Sequence, residues 1–230
     1  MTDLYTTAVE SKPPLIHQLA YGVERANTYI IDDTGHALVI DACSEAVSEE
    51  LQRMRIIPDY LILSHEHCDH LWGVNAIRSA FPNIQVIAQE YCSEAIGDPN
   101  RNKSKQYHIY MTLRYGEEYR NDEARHRTYT CAPADIVFKK DFGLTWRGYE
   151  IEFHHAPGHS PGSLLIYYKG IGVFSGDSIL QDETFTKFDD GDETAFNNIT
   201  LPMITKIPGE IVVYPGHGDV FQMRNWKSNK

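Results

Sequence analysis

Apolar positions along this chain follow two periods, and the alternation between them outlines the fold. The segments NTYIID (27–32) and HALVIDA (36–42) are rich in β-branched residues and flank DTG (33–35), a turn signal, so together they predict a β-hairpin. Helical spacing follows in EAVSEELQRM (45–54), with Ser44 placed to cap it. DYLILS (59–64) is a short apolar strand, LWGVNAIRSAF (71–81) carries helical spacing, and IQVIAQ (84–89) is another strand. Strand patterns resume with ADIVF (134–138), YEIEFHHA (149–156), SLLIYYK (163–169) and IGVFSGD (171–177). A helical stretch over about 193–206 precedes EIVVYPGHG (210–218). The segment from about 97 to 130 breaks the pattern: it is polar, basic and tyrosine-rich, with a helix expected near 105–114. No internal repeat or low-complexity tract interrupts the sequence. Strand blocks with interspersed helices predict a layered α/β fold, as one domain over 1–230 carrying an insertion at about 97–130.

Composition narrows the function classes. Hydrophobic residues make up 42% of the chain, enough to build a core, and no apolar run reaches membrane-spanning length. A formal charge of −11 argues against a nucleic-acid binder and against docking on an anionic membrane. The opening MTDLYTTAVESKPP has neither a charged nor an apolar leader pattern, so no signal peptide is expected. Cys43, Cys68, Cys92 and Cys131 form no CxxC pair and read as reduced thiols, which predicts a cytoplasmic protein.

The candidate chemistry is concentrated in SHEHCDH (64–70). His65 and His67 are two residues apart at a strand end, so their side chains share a face, and Asp69 and His70 follow where a helix is expected to start, with Asp69 suited to its N-cap or first turn. Imidazole and carboxylate suit zinc, iron or manganese. Four such groups cannot complete two coordination shells, so further ligands are expected at other strand ends. Three residues fit: His159 in HAPGHSPGS, Asp177 in VFSGDS and His217 in VVYPGHG, each in a tight turn beside an apolar run. Glu66 raises the HExxH zincin motif, which needs a histidine where Asp69 stands. The remaining histidines, His154 and His155 among them, read as structural or surface groups, and Cys68 as turned into the core.

This constellation, HEHCDH (65–70) with His159 in GHSPG, Asp177 in SGDS and His217 in PGHG, resembles the metallo-β-lactamase fold superfamily over roughly residues 15–220. The resemblance implies an αββα sandwich with a metal site at the sheet edge. It implies two divalent ions, most simply Zn2+ with Fe or Mn as alternatives: one held by His65, His67 and His159, the other by Asp69, His70 and His217, with Asp177 bridging. Asp41 would orient a ligand histidine from behind. Where the family often has two glycines after the motif, this chain has Trp72 and Gly73.

The implied activity is that of a binuclear hydrolase in which a metal-bridging hydroxide, oriented by Asp69, cleaves a thioester or a small carbonyl ester or lactone, as in glyoxalase II-like members. Asp177 speaks against β-lactamases of this fold, which usually carry cysteine or serine there. Leu180 stands where lactonases often carry tyrosine. The chain as given ends thirteen residues past His217, so the thiol carrier is left open. Two alternatives remain: a mononuclear iron persulfide dioxygenase-like oxidoreductase, and a binding protein with a retired site. The expected partner is a small molecule. Residues 101–127 hold seven Lys or Arg (Arg101, Lys103, Lys105, Arg114, Arg120, Arg125, Arg127) against four acids in a chain that is otherwise acidic, which suggests that this segment receives an anionic arm of the substrate.

Overall fold

A computed structural model of the chain describes residues 13–116, 128–182, 186 and 189–227. In chain order the first half contains β1 (Leu15–Tyr21), β2 (Ala26–Asp33), β3 (His36–Ile40), α1 (Ala46–Met54), β4 (Ile57–Ile62), α2 (Val74–Ala80), β5 (Gln85–Gln89), α3 (Glu90–Ala95), α4 (Tyr107–Tyr115) and β6 (Ile136–Phe138). The second half contains β7 (Asp141–Trp146), β8 (Tyr149–His155), β9 (Leu164–Tyr168), β10 (Gly172–Gly176), α5 (Glu193–Ala195), α6 (Leu201–Ile204), β11 (Val212–Pro215) and β12 (Phe221–Gln222). A π-helical turn, Phe196–Thr200, joins α5 to α6, so the expected 193–206 helix is present as a single irregular run.

Each half makes its own six-stranded sheet, ordered β1-β2-β3-β4-β5-β6 and β12-β11-β10-β9-β8-β7. The DTG hairpin forms as expected: Asp33 pairs with His36, and the two loop residues, Thr34 and Gly35, both take positive φ (55° and 86°), as a tight hairpin with right-twisted strands requires. Beyond β3 the first sheet is parallel, which explains why its central strands are apolar on both faces. Ile30, Val39, Leu61 and Val86 point outward, where Val47 and Leu51 of α1 and Val74 and Ile77 of α2 cover them. Ile31, Leu38, Ile62 and Ile87 point inward against Phe153, Leu164, Ile166 and Phe174 of the second sheet. The outer face of that sheet, including Leu165, Val173 and Val213, is closed by Phe196 and Ile204. The layers are therefore helix, sheet, sheet, helix, the αββα sandwich expected from the sequence.

Two local expectations shift. Ser44 does accept a bond from the Ala46 amide (3.2 Å), but α1 starts one residue later than expected. Asp69 does lie in the first turn of a helix, but that helix is a separate 3-10 turn, Cys68–His70; α2 begins only after Gly73, so Asp69 is not its N-cap. The retained Gly73 is required there, because a Cβ would fall 2.2 Å from the Ser44 carbonyl oxygen. All four cysteines are free and buried.

The topology positions the chemistry. β3 and β4 run parallel, so Asp41 and the His65–His70 turn leave the sheet at the same edge. β10 and β11 also run parallel, which brings Asp177 and His217 together at their ends. The loop from β8 to β9 delivers His159. Backbone bonds hold the two edges in register, Leu164 N to Ser64 O (2.9 Å) and Asn27 N to Gly216 O (2.7 Å), while Gly216 N to Gly176 O (2.8 Å) ties the ends of β10 and β11 together.

Candidate metal centre

All seven sequence-selected residues meet at this edge. Ligand atoms of His65, His67 and His159 lie within 4.8 Å of one another, and so do those of Asp69, His70 and His217, and of His65, His70 and Asp177. His67 Nδ1 stands 3.0 Å from His159 Nε2, and His70 Nε2 stands 3.3 Å from His217 Nε2. Two nitrogens bound tetrahedrally at about 2.0–2.1 Å would stand roughly 3.3 Å apart, so these spacings suit a shared ion. Asp177 lies between the groups: Oδ2 is 3.3 Å from His217 Nε2 and 3.6 Å from His159 Nε2, and Oδ1 is 3.5 Å from His70 Nε2.

The surrounding hydrogen bonds fix which nitrogen faces the centre. Asp41 accepts from the Ser64 amide (2.7 Å), the Ser64 hydroxyl (2.7 Å) and His70 Nδ1 (2.9 Å). With its proton committed to Asp41, Ser64 Oγ accepts from His65 Nδ1 (3.0 Å). His217 Nδ1 donates to the Glu24 carbonyl (2.9 Å). His67 is anchored at the opposite ring nitrogen, Nε2, which donates to Asp190 Oδ2 (3.2 Å). Such backing bonds fix the tautomer and raise the basicity of the nitrogen that remains. His65 Nε2 and Asp177 Oδ1 are buried with no hydrogen-bond partner among the described residues. Burial of that kind is costly without compensation, and a cation would supply it.

Electrostatics point the same way. Burial, reinforced by His70 and His67, drives His65 well below the ordinary histidine value, leaving a neutral ring. Burial alone would raise the Asp177 carboxyl, but His217 and His70 outweigh it and hold it well below the usual range. Asp69 behaves likewise beside His70 and His217. His70 and His217 oppose burial and hold their protons well above the ordinary value, because Asp69 faces His70 and Asp177 faces His217. Without a cation the cluster therefore stores protons, as neutral-nitrogen ligand sets do before metal displaces them.

A pocket opens onto the cluster. Its floor includes Asp69, His159, Asp177 and His217, and one wall is α4 with Tyr107, Tyr110, Met111 and Arg114, preceded by Lys103. The middle segment singled out by charge is thus a pocket wall as far as it is described; Arg120, Arg125 and Arg127 lie outside the described residues. Trp72 packs edge-on against Tyr107 (5.6 Å) and Tyr129 (5.2 Å) and props that wall. Tyr107 donates its hydroxyl to Glu24. Sequence reading missed Glu24, Tyr107 and Asp190. The first lies in an ordinary hairpin turn, and Asp190 sits in the acidic run DDGDE, where nothing distinguishes it from a solvated carboxylate. His155 donates to the Pro161 carbonyl (2.7 Å) and His154 pairs with Asp141 (2.9 Å), which fits their reading as structural. Cys68 is fully buried but also touches the pocket.

Comparison with known proteins extends this picture. The chain is 25% identical over 206 residues to a probable metallo-hydrolase of Bacillus subtilis, covering 87% of this chain and 89% of that protein. It is 23% identical over 190 residues to the hydroxyacylglutathione hydrolase of Aeromonas hydrophila, covering 82% of this chain but only 59% of that enzyme's length. A human mitochondrial persulfide dioxygenase aligns at 21% identity over 214 residues, 89% of this chain and 68% of that one. Among solved structures, the B3 metallo-beta-lactamase BLEG-1 superposes with a TM-score of 0.74 at 29% identity, covering 92% of this chain and 95% of that one. The family model for the metallo-beta-lactamase superfamily matches residues 21–217, a span that takes in every residue converging at the sheet edge from Asp41 to His217, and the chain belongs to that superfamily.

Proposed function

We propose that this protein is a hydrolase of a thioester or other small carbonyl ester, working with two divalent ions. The observation that carries this reading is the convergence of seven ligand-type side chains with Asp177 reaching toward both groups. His65, His67 and His159 would hold one ion, Asp69, His70 and His217 the other, and Asp177 both. Zinc suits this nitrogen and oxygen set, and iron and manganese are compatible with it. Bound divalent ions supply Lewis acidity, lowering the pKa of water toward about 7 and polarising a carbonyl.

The remaining work falls to the chain's own groups. Asp69, kept ionised at the pocket floor, accepts a hydrogen bond and so orients a water for attack. Met111 and Leu180 give the pocket apolar surface for an acyl group, and Arg114 places positive charge on the wall for an anionic arm. A thiolate leaving group, with a parent thiol pKa near ~8.5, departs without a proton from the protein, which favours thioesters over alkyl esters. A cytoplasmic setting, expected from the four free thiols, belongs to this proposal; among the described residues no helix is long and apolar enough to cross a membrane.

The test is metal content per chain, with zinc and iron counted separately, followed by hydrolysis of acyl thioesters, lactones and a β-lactam. Two metals per chain and thioester cleavage, both lost in Asp177→Ala, are expected. One iron per chain with oxygen uptake on persulfide substrates would overturn the hydrolase in favour of the oxygenase that the dioxygenase alignment makes the second reading.

A further inference from the structure

His67 differs from its neighbours in the cluster. His65, His70 and His217 are each anchored through Nδ1 and present Nε2, and their anchors lie on strand ends or a turn at the sheet edge. His67 presents Nδ1 toward His159 Nε2, so its anchor must sit on the Nε2 side, toward the pocket wall. That anchor is Asp190, 123 residues away in sequence, with Oδ2 at 3.2 Å. The same oxygen lies 3.2 Å from Lys103 Nζ, which also pairs with Asp189 Oδ1 at 2.8 Å. The side chains of His67 and Asp190 are 8% and 12% exposed, so solvent does little to weaken the contact. Asp190 Oδ1 is buried with no partner among the described residues, so the carboxylate is committed to His67 and Lys103. The loop carrying Lys103 is itself tied to the histidine turn, because the Cys68 amide, next to His67, donates to Asn102 O at 2.9 Å.

We infer that Asp190, steadied by Lys103, is the positioning residue that keeps the His67 proton on Nε2 and its Nδ1 lone pair on the ion shared with His65 and His159. This rests on the metal-dependent reading above. It makes retention of one ion depend on the segment after β10 and on the loop entering α4, which is also the pocket wall.

The experiment uses the full chain and zinc. Stepwise zinc dissociation constants come from chelator competition, the thermal midpoint is taken in the metal-free protein, and long-range proton–nitrogen correlation reports which ring nitrogen of His67 is protonated. Asp190→Ala should weaken one zinc site by about 10- to 100-fold and leave the other unchanged. It should move the His67 proton off Nε2 in part of the population, and Asp190→Glu should recover part of the affinity. Lys103→Met should give a smaller loss at the same site. Unchanged constants with an unchanged His67 tautomer would overturn the inference, and so would equal loss at both sites with a lower metal-free midpoint, the mark of a merely structural residue. If the wild type holds a single ion, the two-metal reading falls, while the role of Asp190 is still decided by whether that ion is weakened in Asp190→Ala.

Discussion

Replacing Asp41 by Asn tests how far the centre depends on what lies behind it. Asp41 is 2% exposed and accepts three bonds, two of them at Oδ2, from Ser64 Oγ and His70 Nδ1. Asn keeps the shape and one acceptor, so the Ser64 amide retains its partner, but an amide NH2 then confronts the donors at Oδ2. The Ser64 hydroxyl cannot turn to His65 Nδ1 at 3.0 Å, because that nitrogen already donates to it. His70 can restore a bond only by moving its proton to Nε2, the nitrogen that faces Asp69 and His217. The ion held by Asp69, His70 and His217 should therefore weaken by about 10- to 100-fold, some 1.4–2.8 kcal/mol. Loss of one charged hydrogen bond should also cost the metal-free fold about 1.5–3 kcal/mol. At about 2–4 °C per kcal/mol for a chain of this size, the midpoint falls by roughly 3–12 °C. Asp41→Ala should be worse in both respects, because φ at this position is 58°, a left-handed value that Asp tolerates better than Ala. Competition with a calibrated chelator and melting in the presence of a metal-stripping agent read the two quantities separately. Wild-type metal affinity in Asp41→Asn would refute the argument that this carboxylate sets the His70 tautomer.

Three further outcomes follow from the same geometry. Gly216→Ala should strip metal and lower stability by about 1–3 kcal/mol, because its Cβ would fall 2.1 Å from Asp177 Oδ1 and 2.9 Å from His70 Cε1; metal analysis with calorimetry checks it. Metal uptake should release protons and weaken as pH falls, since His70 and His217 hold protons above the ordinary histidine value and must give them up to bind. In the metal-free protein that raised value adds stability below about pH 6.5, lost as pH rises through the folded-state value, and melting with and without zinc at about pH 6 and 8 should show the two curves diverging. Arg114→Glu should raise KM for a thioester with an anionic arm by roughly two- to thirtyfold with kcat little changed, from about 0.2–1 kcal/mol per partly exposed pair doubled by reversal; an unchanged KM in steady-state kinetics would remove Arg114 from recognition.

Much of this centre was legible because its candidate ligands sit beside clear strand signals in the chain. DYLILS, VFSGD and VVYPG each run straight into a histidine or aspartate, so local pattern and chemistry point to one edge. The layers were legible for a related reason: apolar residues on both faces of β3, β4 and β5 demand cover on both sides. What escaped was whatever depended on distant pairing. Asp190 meets His67 only after the two sheets close, and its own neighbourhood reads as solvated acid. Tyr107 becomes a pocket wall propped by Trp72 through an edge-on contact that no periodicity encodes. The start of α2 was displaced because the histidine turn takes a 3-10 form with its own bonds before the helix can begin.

The two sheets divide the sequence into two consecutive segments, with only Lys139 and Lys140 between β6 and β7. The ligands divide with them: His65, His67, Asp69 and His70 come from the first half, His159, Asp177 and His217 from the second. A chain cut between those lysines would yield one fragment with four candidate ligands and one with three, and on the proposed assignment neither would hold the full ligand set of either ion. Under the two-ion proposal, metal capture would then report reassembly of the halves, a split readout whose signal is the ion itself and whose output needs no substrate.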